Sequence, residues 1–199
     1  MRRVAIIVST ILMAATLGFE HHVLDFRSTF RQHVMDNFVR EYACGRTPNP
    51  CVMCNSHIKW GELIKAAEEY NCDYIATGHY AQIAEYRGHY YLKNAVDTHK
   101  DQTYFLWMLT EENLRRTIFP LGGLTKAEVR EIALNHGFEK LSKKAESQEK
   151  SPAIKGQLTI VNGQLQIDFA EPVWGVAPGQ SLVIYKDGLL VGGGIIEEG

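Results

Sequence analysis

The stretch GRTPNPCVMCN, residues 45–55, is the segment around which the rest of the chain can be interpreted. Pro48 and Pro50 fix two φ angles and bias the residue before each of them away from helix, so a stiff, extended loop is expected. Two of the four cysteines, Cys51 and Cys54, stand three residues apart at its end. The sequence therefore predicts a rigid loop that presents two thiols.

The two cysteines are expected near the start of a helix. Asn55 or Ser56 can cap a helix whose apolar positions begin at Ile58. Backbone N–H groups and the helix dipole at that end favour a thiolate, which is the nucleophilic form of cysteine. Spacing alone leaves two interpretations open: an active-site nucleophile, or a structural corner that holds zinc or an iron–sulfur cluster.

A zinc ribbon is the weaker interpretation of these cysteines. It would need a second C-x-x-C pair about fifteen to twenty residues further on. Cys72 follows Cys54 by eighteen residues, but position 75 is isoleucine, so the second pair does not exist. A closed zinc site would have to recruit His57 or His79.

Composition places the chain among ordinary globular proteins. Its 199 residues can hold one large domain or two small ones, and a hydrophobic content of 45% is enough for a core. A formal net charge of −2 argues against nucleic-acid binding by bulk positive charge. Four cysteines, two of them in one C-x-x-C motif, do not suggest a disulfide framework at this length, so we expect a reducing, cytoplasmic location.

The first eighteen residues allow two interpretations. A basic start followed by an apolar run to Gly18 resembles a short signal peptide, whereas residues 4–8 alone are typical of a buried strand that opens a parallel sheet. We favour the strand, because cleavage would remove the element with which residues 19–26 should pair. No later apolar run is long enough to span a membrane, so no membrane partner is expected.

The N-terminal pattern predicts a βαβ unit with strands over residues 3–8 and 22–26. The crossover piece between them, residues 9–18, has only ten residues. Parallel crossovers need a dozen or more residues including the helix. We therefore expect that residues are absent from this region.

The remaining pattern predicts an α/β domain, residues 1–150, followed by a small antiparallel β domain, residues 151–199, that forms part of a barrel. The predicted elements are a helix capped by Ser28 and ended by Gly45, a helix over 58–70, a strand over 73–77, a hairpin over 81–94, a helix over 102–109, a helix opened by a Thr125–Glu128 capping box, and strands over 157–161, 165–169, 181–185 and 189–196. The β domain is too short to bury its own inner face, which again suggests absent residues.

Several longer strings follow one another in an order that is similar to one family. They are RTPNPCVMCN (46–55), HIKW (57–60), ATGHYA (76–81), KDQTYF (100–105), FPLGGLT (119–125), SQE (147–149) and PGQ (178–180). Together they resemble the MnmA-type tRNA-specific 2-thiouridylases, and the resemblance covers residues 18–149 and 156–196. It implies an ATP-pyrophosphatase α/β domain, adenine nucleotide alpha hydrolase-like with a parallel sheet, followed by a β-barrel domain that helps to grip tRNA.

The activity that this resemblance implies is the ATP-dependent 2-thiolation of the wobble uridine, U34, of tRNA. Adenylating the uracil oxygen makes a leaving group, a cysteine persulfide sulfur attacks C2, and a second thiol resolves the product as a disulfide. The resemblance thus implies ATP with Mg²⁺ as cofactor, and tRNA and a sulfur-donor protein as partners.

Site residues are implied by their positions in the matching strings. Cys54 matches the nucleophile, and Gly78 matches a glycine that contacts the nucleotide. Asn49, Pro50 and Cys51 fall on the loop that meets the target base, although many members have aspartate in place of Cys51. The other positions that match tRNA contacts are His79, Lys100, Asp101, Gln102 and Gln180.

The sequence departs from the family pattern at two places. The pyrophosphate-binding loop, Ser-Gly-Gly-x-Asp-Ser, should follow Val8, where STIL (9–12) stands instead. The second cysteine, which carries the persulfide, should follow Ser-Gln-Glu, but no cysteine follows Glu149. We expect that the sequence is part of a longer protein. The alternatives are a catalytically inactive tRNA-binding or assembly paralogue, or another ATP-pyrophosphatase that adenylates a small molecule.

Cys51 adds one further hypothesis. Cys51 and Cys54 are close enough to ligate one metal centre, and a third thiolate could come from the absent cysteine. Three thiolates with an open fourth position would suit a [4Fe–4S] cluster whose free iron binds inorganic sulfide. Alternatively, Cys51 is a small buried residue or a spare thiol beside the nucleophile.

Overall fold

The structure is a computed structural model that describes residues 4–6, 18–138, 153–162 and 164–197. The predicted helical piece over 10–17 and the string at 147–149 lie outside the described residues. Within those residues, no helix is both long and apolar enough to cross a membrane.

A parallel sheet of three short strands lies in the N-terminal part of the chain. Strand β1 (Val4–Ile6) pairs with β2 (Tyr74–Ala76), which pairs in turn with a strand at Thr117–Ile118. The predicted parallel sheet is therefore confirmed. The predicted strand over 22–26 is wrong, since that segment is an irregular connection in which Val23 is 79% exposed.

The crossover from β1 is much longer than the sequence predicted. The connection from β1 to its parallel neighbour runs from residue 7 to residue 73, which is ample for a right-handed crossover with helices. The expectation that residues are absent from this region stays a prediction.

The first helical segment leads to the cysteine loop. It consists of α1 (Arg27–Phe30), a π-helical turn (Arg31–Met35) and α2 (Asp36–Ala43). Gly45 ends it with φ +74°, as predicted, because glycine adopts this left-handed conformation without strain. The predicted cap is wrong, since no side chain caps α1 and Ser28 lies inside it.

The second helical segment carries the cysteines. It consists of α3 (Pro50–Cys54), a π-helical stretch (Asn55–Glu62) and α4 (Leu63–Glu69). Trp60, which is buried, donates from its indole N–H to the Thr117 hydroxyl at 2.7 Å. This bond fixes the π-helical stretch against the last strand of the parallel sheet.

The antiparallel strands form two further sheets. The predicted hairpins are confirmed: β3 (Gln82–Tyr86) pairs with β4 (His89–Lys93), and the C-terminal strands pair as well. The other elements are a 3₁₀ turn (Thr103–Leu106) where the sequence predicted a helix over 102–109, α5 (Glu111–Arg115), β5 (Thr117–Ile118), α6 (Lys126–Asn135) with its predicted Thr125–Glu128 capping box, β6 (Gly156–Val161), β7 (Gln164–Phe169), β8 (Ser181–Lys186) and β9 (Leu189–Ile195).

The last two strands join the core of the preceding domain. The sheet order is β3-β4-β9-β8, because Lys93 of β4 pairs with Leu189 of β9. Leu190 packs in one cluster with Trp60, Ile75 and Leu106. The sheet built by β8 and β9 thus covers the α/β part directly, and the domain boundary at residue 150 stays a prediction.

Gly122 should be irreplaceable, because a Cβ there would lie 1.8 Å from the carbonyl oxygen of Ala81. We expect Gly122→Ala to destabilise the protein by about 3 kcal/mol through overpacking, measured as a lower midpoint in thermal unfolding. Gly123→Ala is the matched control, since a Cβ at that neighbouring position meets nothing within 4 Å. Equal melting temperatures for the two variants would contradict this packing.

Candidate active site

Asn49 opens the helix that carries the two thiols. Its backbone is extended, and its side-chain Oδ1 accepts hydrogen bonds from the N–H groups of Cys51 at 3.1 Å and Val52 at 3.3 Å. Pro50 occupies the first helical position, where a missing N–H leaves no hydrogen bond unmade. Val52 is 1% exposed and anchors the helix, while Cys51 is exposed to solvent. The predicted rigid loop thus passes directly into a capped helix.

The predicted cap of this helix, Asn55 or Ser56, is wrong. Asn55 is 3% exposed and lies inside the helical segment, where its side-chain N–H donates to the Phe105 carbonyl at 2.9 Å. Cys54 therefore lies at the end of α3 and not at its start. Burial raises the pKa of the Cys54 thiol, and Cys51 adds to the rise. The expected low-pKa thiolate at a helix N-terminus is thus wrong for Cys54.

Lys59 supplies the positive charge that opposes this effect of burial. It follows Cys54 by five residues, and in a π-helix residues five apart are joined by hydrogen bonds and lie on nearly the same side. The Lys59 cation lowers the pKa of Cys54, although burial outweighs it. Burial also lowers the pKa of Lys59 itself, while the two thiols act in the opposite direction.

His79 holds the Lys59 ammonium from the end of β2. Its Nε2 lies 3.3 Å from Lys59 Nζ, and its Nδ1 lies 2.7 Å from the Thr77 hydroxyl. Burial, and then the Lys59 charge, lower the pKa of His79 to about 3, so the ring is neutral. Because an ammonium can only donate, Nε2 accepts and Nδ1 carries the proton.

The turn that contains Gln180 lies against the cysteine loop. As predicted, Pro178 and Gly179 form a tight turn, with Gly179 at φ +89° and the Gln180 N–H bonded to the Ala177 carbonyl at 3.2 Å. The Thr47 N–H donates to the Pro178 carbonyl at 2.7 Å. The structure therefore brings together the cysteine loop, the Lys59–His79 pair and the Gln180 turn.

Asp101 and Gln102 are engaged in hydrogen bonds within the protein. Asp101 is 4% exposed, and its carboxylate accepts from the Ala95 N–H at 2.6 Å and from the Thr103 hydroxyl. The Gln102 side-chain oxygen accepts from the Tyr80 N–H at 3.0 Å. Both side chains therefore shape the backbone around them, and Lys100 directly precedes them.

The remaining predicted features concern nucleotide and metal. Gly78 is exposed just beyond the carboxyl end of β2, which is the end at which parallel sheets bind ligands. Among the described residues, no group of three or more His, Cys, Asp or Glu side chains could hold a metal ion. All four cysteines are free thiols.

The chain is similar to known proteins over most of its length. Residues 7–150 match a family model described as "tRNA methyl transferase HUP domain", and residues 126–196 match one described as "Aminomethyltransferase beta-barrel domain". The chain is 52% identical over 137 residues to a protein of Amoebophilus asiaticus, and 46% identical to proteins of Cytophaga hutchinsonii and Salinibacter ruber. Each of the three is named tRNA-specific 2-thiouridylase MnmA.

The chain belongs to the MnmA family. The alignments cover 69% of this chain but only 36% or 37% of each relative, so the chain spans well under half the length of the MnmA proteins it matches. The predicted α/β class, with a parallel-sheet domain and a β-barrel-like domain, is confirmed.

Sequence reasoning missed two residues of this site, Lys59 and Thr77, and gave Asn55 a different role. All three stand in the strings that carry the family resemblance. No periodicity or spacing marked Lys59 or the role of Asn55, because their partners, His79 and Phe105, lie 20 and 50 residues away. Only the fold shows that His79 and Lys59 meet.

His79 makes the stability of the fold depend on pH. The pKa of His79 is about 3 in the folded state and about 6.5 in an unfolded chain, so its contribution is complete above pH 6.5 and is lost as the pH falls from 6.5 towards 3. Between pH 8 and pH 5 this loss amounts to about 2 kcal/mol. We expect His79→Gln to remove that part of the pH dependence in urea unfolding.

His136→Gln is the matched control for this experiment, because His136 is exposed at the end of α6. It should keep the wild-type difference between pH 8 and pH 5. An unchanged difference in His79→Gln would contradict a neutral, buried His79.

Proposed function

We propose that this protein catalyses the ATP-dependent 2-thiolation of the wobble uridine, U34, of tRNA, with Cys54 as the nucleophile. The observation that carries the proposal is the capped helix that presents Cys51 and Cys54 next to the Lys59–His79 pair. The relatives are named tRNA-specific 2-thiouridylases, which supports tRNA 2-thiolation as the reaction. A base that enters this site would meet the half-buried thiol of Cys54 and the Lys59 cation, which His79 holds at 3.3 Å.

The proposed chemistry uses two thiols in turn. The C2 oxygen of U34 attacks the α-phosphorus of ATP, and pyrophosphate leaves. The terminal sulfur of a cysteine persulfide then attacks C2 and expels AMP. The Cys54 thiolate attacks the inner sulfur of the resulting linkage, which leaves sulfur on C2 and a disulfide on the enzyme. An external dithiol must then reduce that disulfide before the next turnover.

Cys54 needs help to act as a nucleophile, since burial raises its pKa. Lys59 supplies that help, because its cation favours the thiolate and lies on the same side of the π-helical stretch. His79 keeps the cation in place through its neutral Nε2. The persulfide-bearing cysteine would come from a part of the protein that this chain does not contain.

We also propose which residues contact the tRNA and ATP. Asn49, Pro50 and Cys51 meet the target base, and Gly78 meets the nucleotide, together with Mg²⁺ on its phosphates. The residues assigned to the tRNA are His79, Lys100, Asp101, Gln102 and Gln180. The side chains of Asp101, Gln102 and Gln180 accept hydrogen bonds from backbone N–H groups, so we assign them an effect through the backbone that they hold. His79 contacts the side chains of Thr77 and Lys59, so we assign it an effect through Lys59.

The proposed function also implies a partner protein and a cellular location. A sulfur-donor protein would load the persulfide, since the chain offers no source of sulfur of its own. Four free thiols favour the reducing cytoplasm as the location. An inactive tRNA-binding or assembly paralogue is the alternative, and it predicts tRNA binding without pyrophosphate release. A small-molecule synthetase predicts pyrophosphate release that does not depend on tRNA.

Cys54→Ser should abolish thiolation, because serine is not ionised at neutral pH and cannot form the disulfide that releases the thiolated base. tRNA affinity should stay within about twofold, since the substitution changes one half-buried atom. The measurements are 2-thiouridine formation by nucleoside mass spectrometry and tRNA binding by filter retention. Cys44→Ser, at an exposed cysteine, is the control and should be fully active. Wild-type thiolation by Cys54→Ser would exclude Cys54 as the nucleophile.

An iron–sulfur centre on Cys51 and Cys54 is the second proposed mechanism, supported by the exposure of Cys51 three residues before Cys54. It predicts a brown protein in anaerobic preparations, with broad charge-transfer absorption that Cys51→Ala removes together with activity. Full thiolation by iron-free protein, or by Cys51→Ala, would exclude the cluster and leave the persulfide route.

A further inference from the structure

Cys51 and Cys54 stand one turn apart on the same helix. Helix α3 runs from Pro50 to Cys54, and the backbone of Cys54 is still helical, with φ −61° and ψ −44°. Residues three apart in an α-helix have Cα atoms about 5 Å apart, and their side chains are neighbours on the helix surface. This Cα separation lies inside the range of about 4.4–6.8 Å that disulfides occupy. A bond between the two thiols therefore needs only a small adjustment of one turn.

The two thiols differ in their exposure to solvent. Cys51 is exposed, whereas Cys54 is half-buried. Val52 and Asn55, which are 1% and 3% exposed, hold the same turn against the protein. Because thiol–disulfide exchange needs access to the sulfur that is attacked, a soluble reductant reaches Cys51 more readily than Cys54.

Hydrogen bonds fix this turn on both sides of the cysteine pair. The Asn49 side-chain oxygen accepts from the N–H groups of Cys51 and Val52. The Asn55 side chain donates to the Phe105 carbonyl at 2.9 Å. The two thiols therefore keep their mutual position, and a reaction between them is favoured over a reaction with a thiol from solution.

The other two cysteines lie outside this turn. Cys44 follows α2 and precedes the proline loop. Cys72 lies beyond the end of α4, where its sulfur is 3.8 Å from the Tyr70 carbonyl oxygen and packs against the hydrophobic core. The helix geometry thus selects Cys51 as the partner of Cys54.

We propose that Cys51 is the resolving thiol of this site: after sulfur transfer it attacks Cys54 and converts the enzyme disulfide into a Cys51–Cys54 disulfide that an external dithiol reaches. The proposal rests on the proposed function, in which Cys54 ends each turnover bonded to the persulfide-bearing cysteine. A cysteine that is oxidised in every cycle cannot also hold iron, so this role belongs to the persulfide route.

Each bond change in this step is a thiol–disulfide exchange. The Cys51 thiolate attacks the sulfur of Cys54, a bond forms between them, and the persulfide-bearing cysteine leaves as a thiolate. One thiol of the external dithiol then attacks the Cys51 sulfur, and Cys54 leaves as a thiolate that takes up a proton. The second thiol of the dithiol closes that reductant's own disulfide and frees Cys51. Two electrons and two protons thus pass from the dithiol to the enzyme, and all the enzyme thiols are restored.

A disulfide within one helical turn is of the easily reduced kind. The Cβ atoms of residues three apart are about 5–6 Å apart in a regular helix, whereas a relaxed disulfide needs about 3.5–4.5 Å. Closing the bond must tighten the turn, and strained, exposed disulfides have the more oxidising potentials of transient disulfides. The Cys51–Cys54 bond therefore suits an intermediate that is formed and reduced in every cycle.

Oxidation of protein from the complete gene tests the pair without any need for activity. The reduced protein is equilibrated with glutathione mixtures that range from fully reduced to fully oxidised, and the remaining thiols are alkylated. Mass spectrometry then follows the tryptic peptide 47–59, in which Cys51 and Cys54 are the only cysteines. We expect an unalkylated peptide that has lost two hydrogen atoms. Alkyl or glutathione groups on both cysteines at every ratio would overturn the proposal.

Kinetics with Cys51→Ser separate resolution from sulfur transfer. The steady-state rate at limiting dithiol, divided by the single-turnover rate, should fall about tenfold, because attack by the external reductant on a half-buried disulfide replaces an exchange within one turn. Both rates are measured as 2-thiouridine by nucleoside mass spectrometry. Loss of a contact with the target base would lower both rates by the same factor. An unchanged ratio would therefore overturn the proposal.

Cys44→Ser is the matched control, since it removes an exposed thiol that the helix geometry does not place beside Cys54. It should keep both the wild-type ratio of rates and the disulfide within peptide 47–59. A lowered ratio in this variant would make Cys44 the resolving thiol and overturn the proposal. If the wild-type protein forms no 2-thiouridine, the proposed function fails, while peptide 47–59 still decides whether Cys51 and Cys54 form a redox pair.

Discussion

The carboxylate of Asp101 is the interaction on which the site depends. It is 4% exposed, and a buried charge is tolerated only when hydrogen bonds replace its water. Donors from Asn94, Ala95 and Thr103 supply those bonds. They fix the following 3₁₀ turn in one position, and the Phe105 carbonyl of that turn accepts from the side chain of Asn55, which directly follows Cys54. A buried acid that touches no thiol thus helps to determine where Cys54 lies.

Burial also sets the electrostatics of the thiol site. It raises the pKa of Cys54 and lowers the pKa values of Lys59 and His79, so each group is pushed towards its neutral form. The Lys59 cation opposes burial by lowering the pKa of Cys54, and the two thiols oppose it by raising the pKa of Lys59. Lys59 is therefore the neighbouring charge that favours the Cys54 thiolate, and the π-helical stretch brings the two residues to nearly the same side.

Local signals in the sequence were sufficient for local structure. The strands predicted over residues 157–161 and 165–169 pair with each other in the structure, and the pattern of Thr125 and Glu128 predicted a capping box that is present. The cap of the cysteine helix was misassigned because three polar residues, Asn49, Asn55 and Ser56, each suit the position. Tertiary contacts decide between them, since the Asn55 side chain donates to the Phe105 carbonyl and does not cap the helix.

The same limit applies to long-range pairing. The strand at Val4–Ile6 was expected to pair with residues 22–26, yet its neighbour is Tyr74–Ala76, seventy residues away. Likewise, no spacing or periodicity in the sequence predicts that Lys59 and His79 are in contact. The most direct measurement of the central claim is pyrophosphate release from ATP with and without unmodified tRNA, using protein from the complete gene. The account predicts release that requires tRNA and is matched by 2-thiouridine at position 34; release that is independent of tRNA, or tRNA binding with no release, would contradict it.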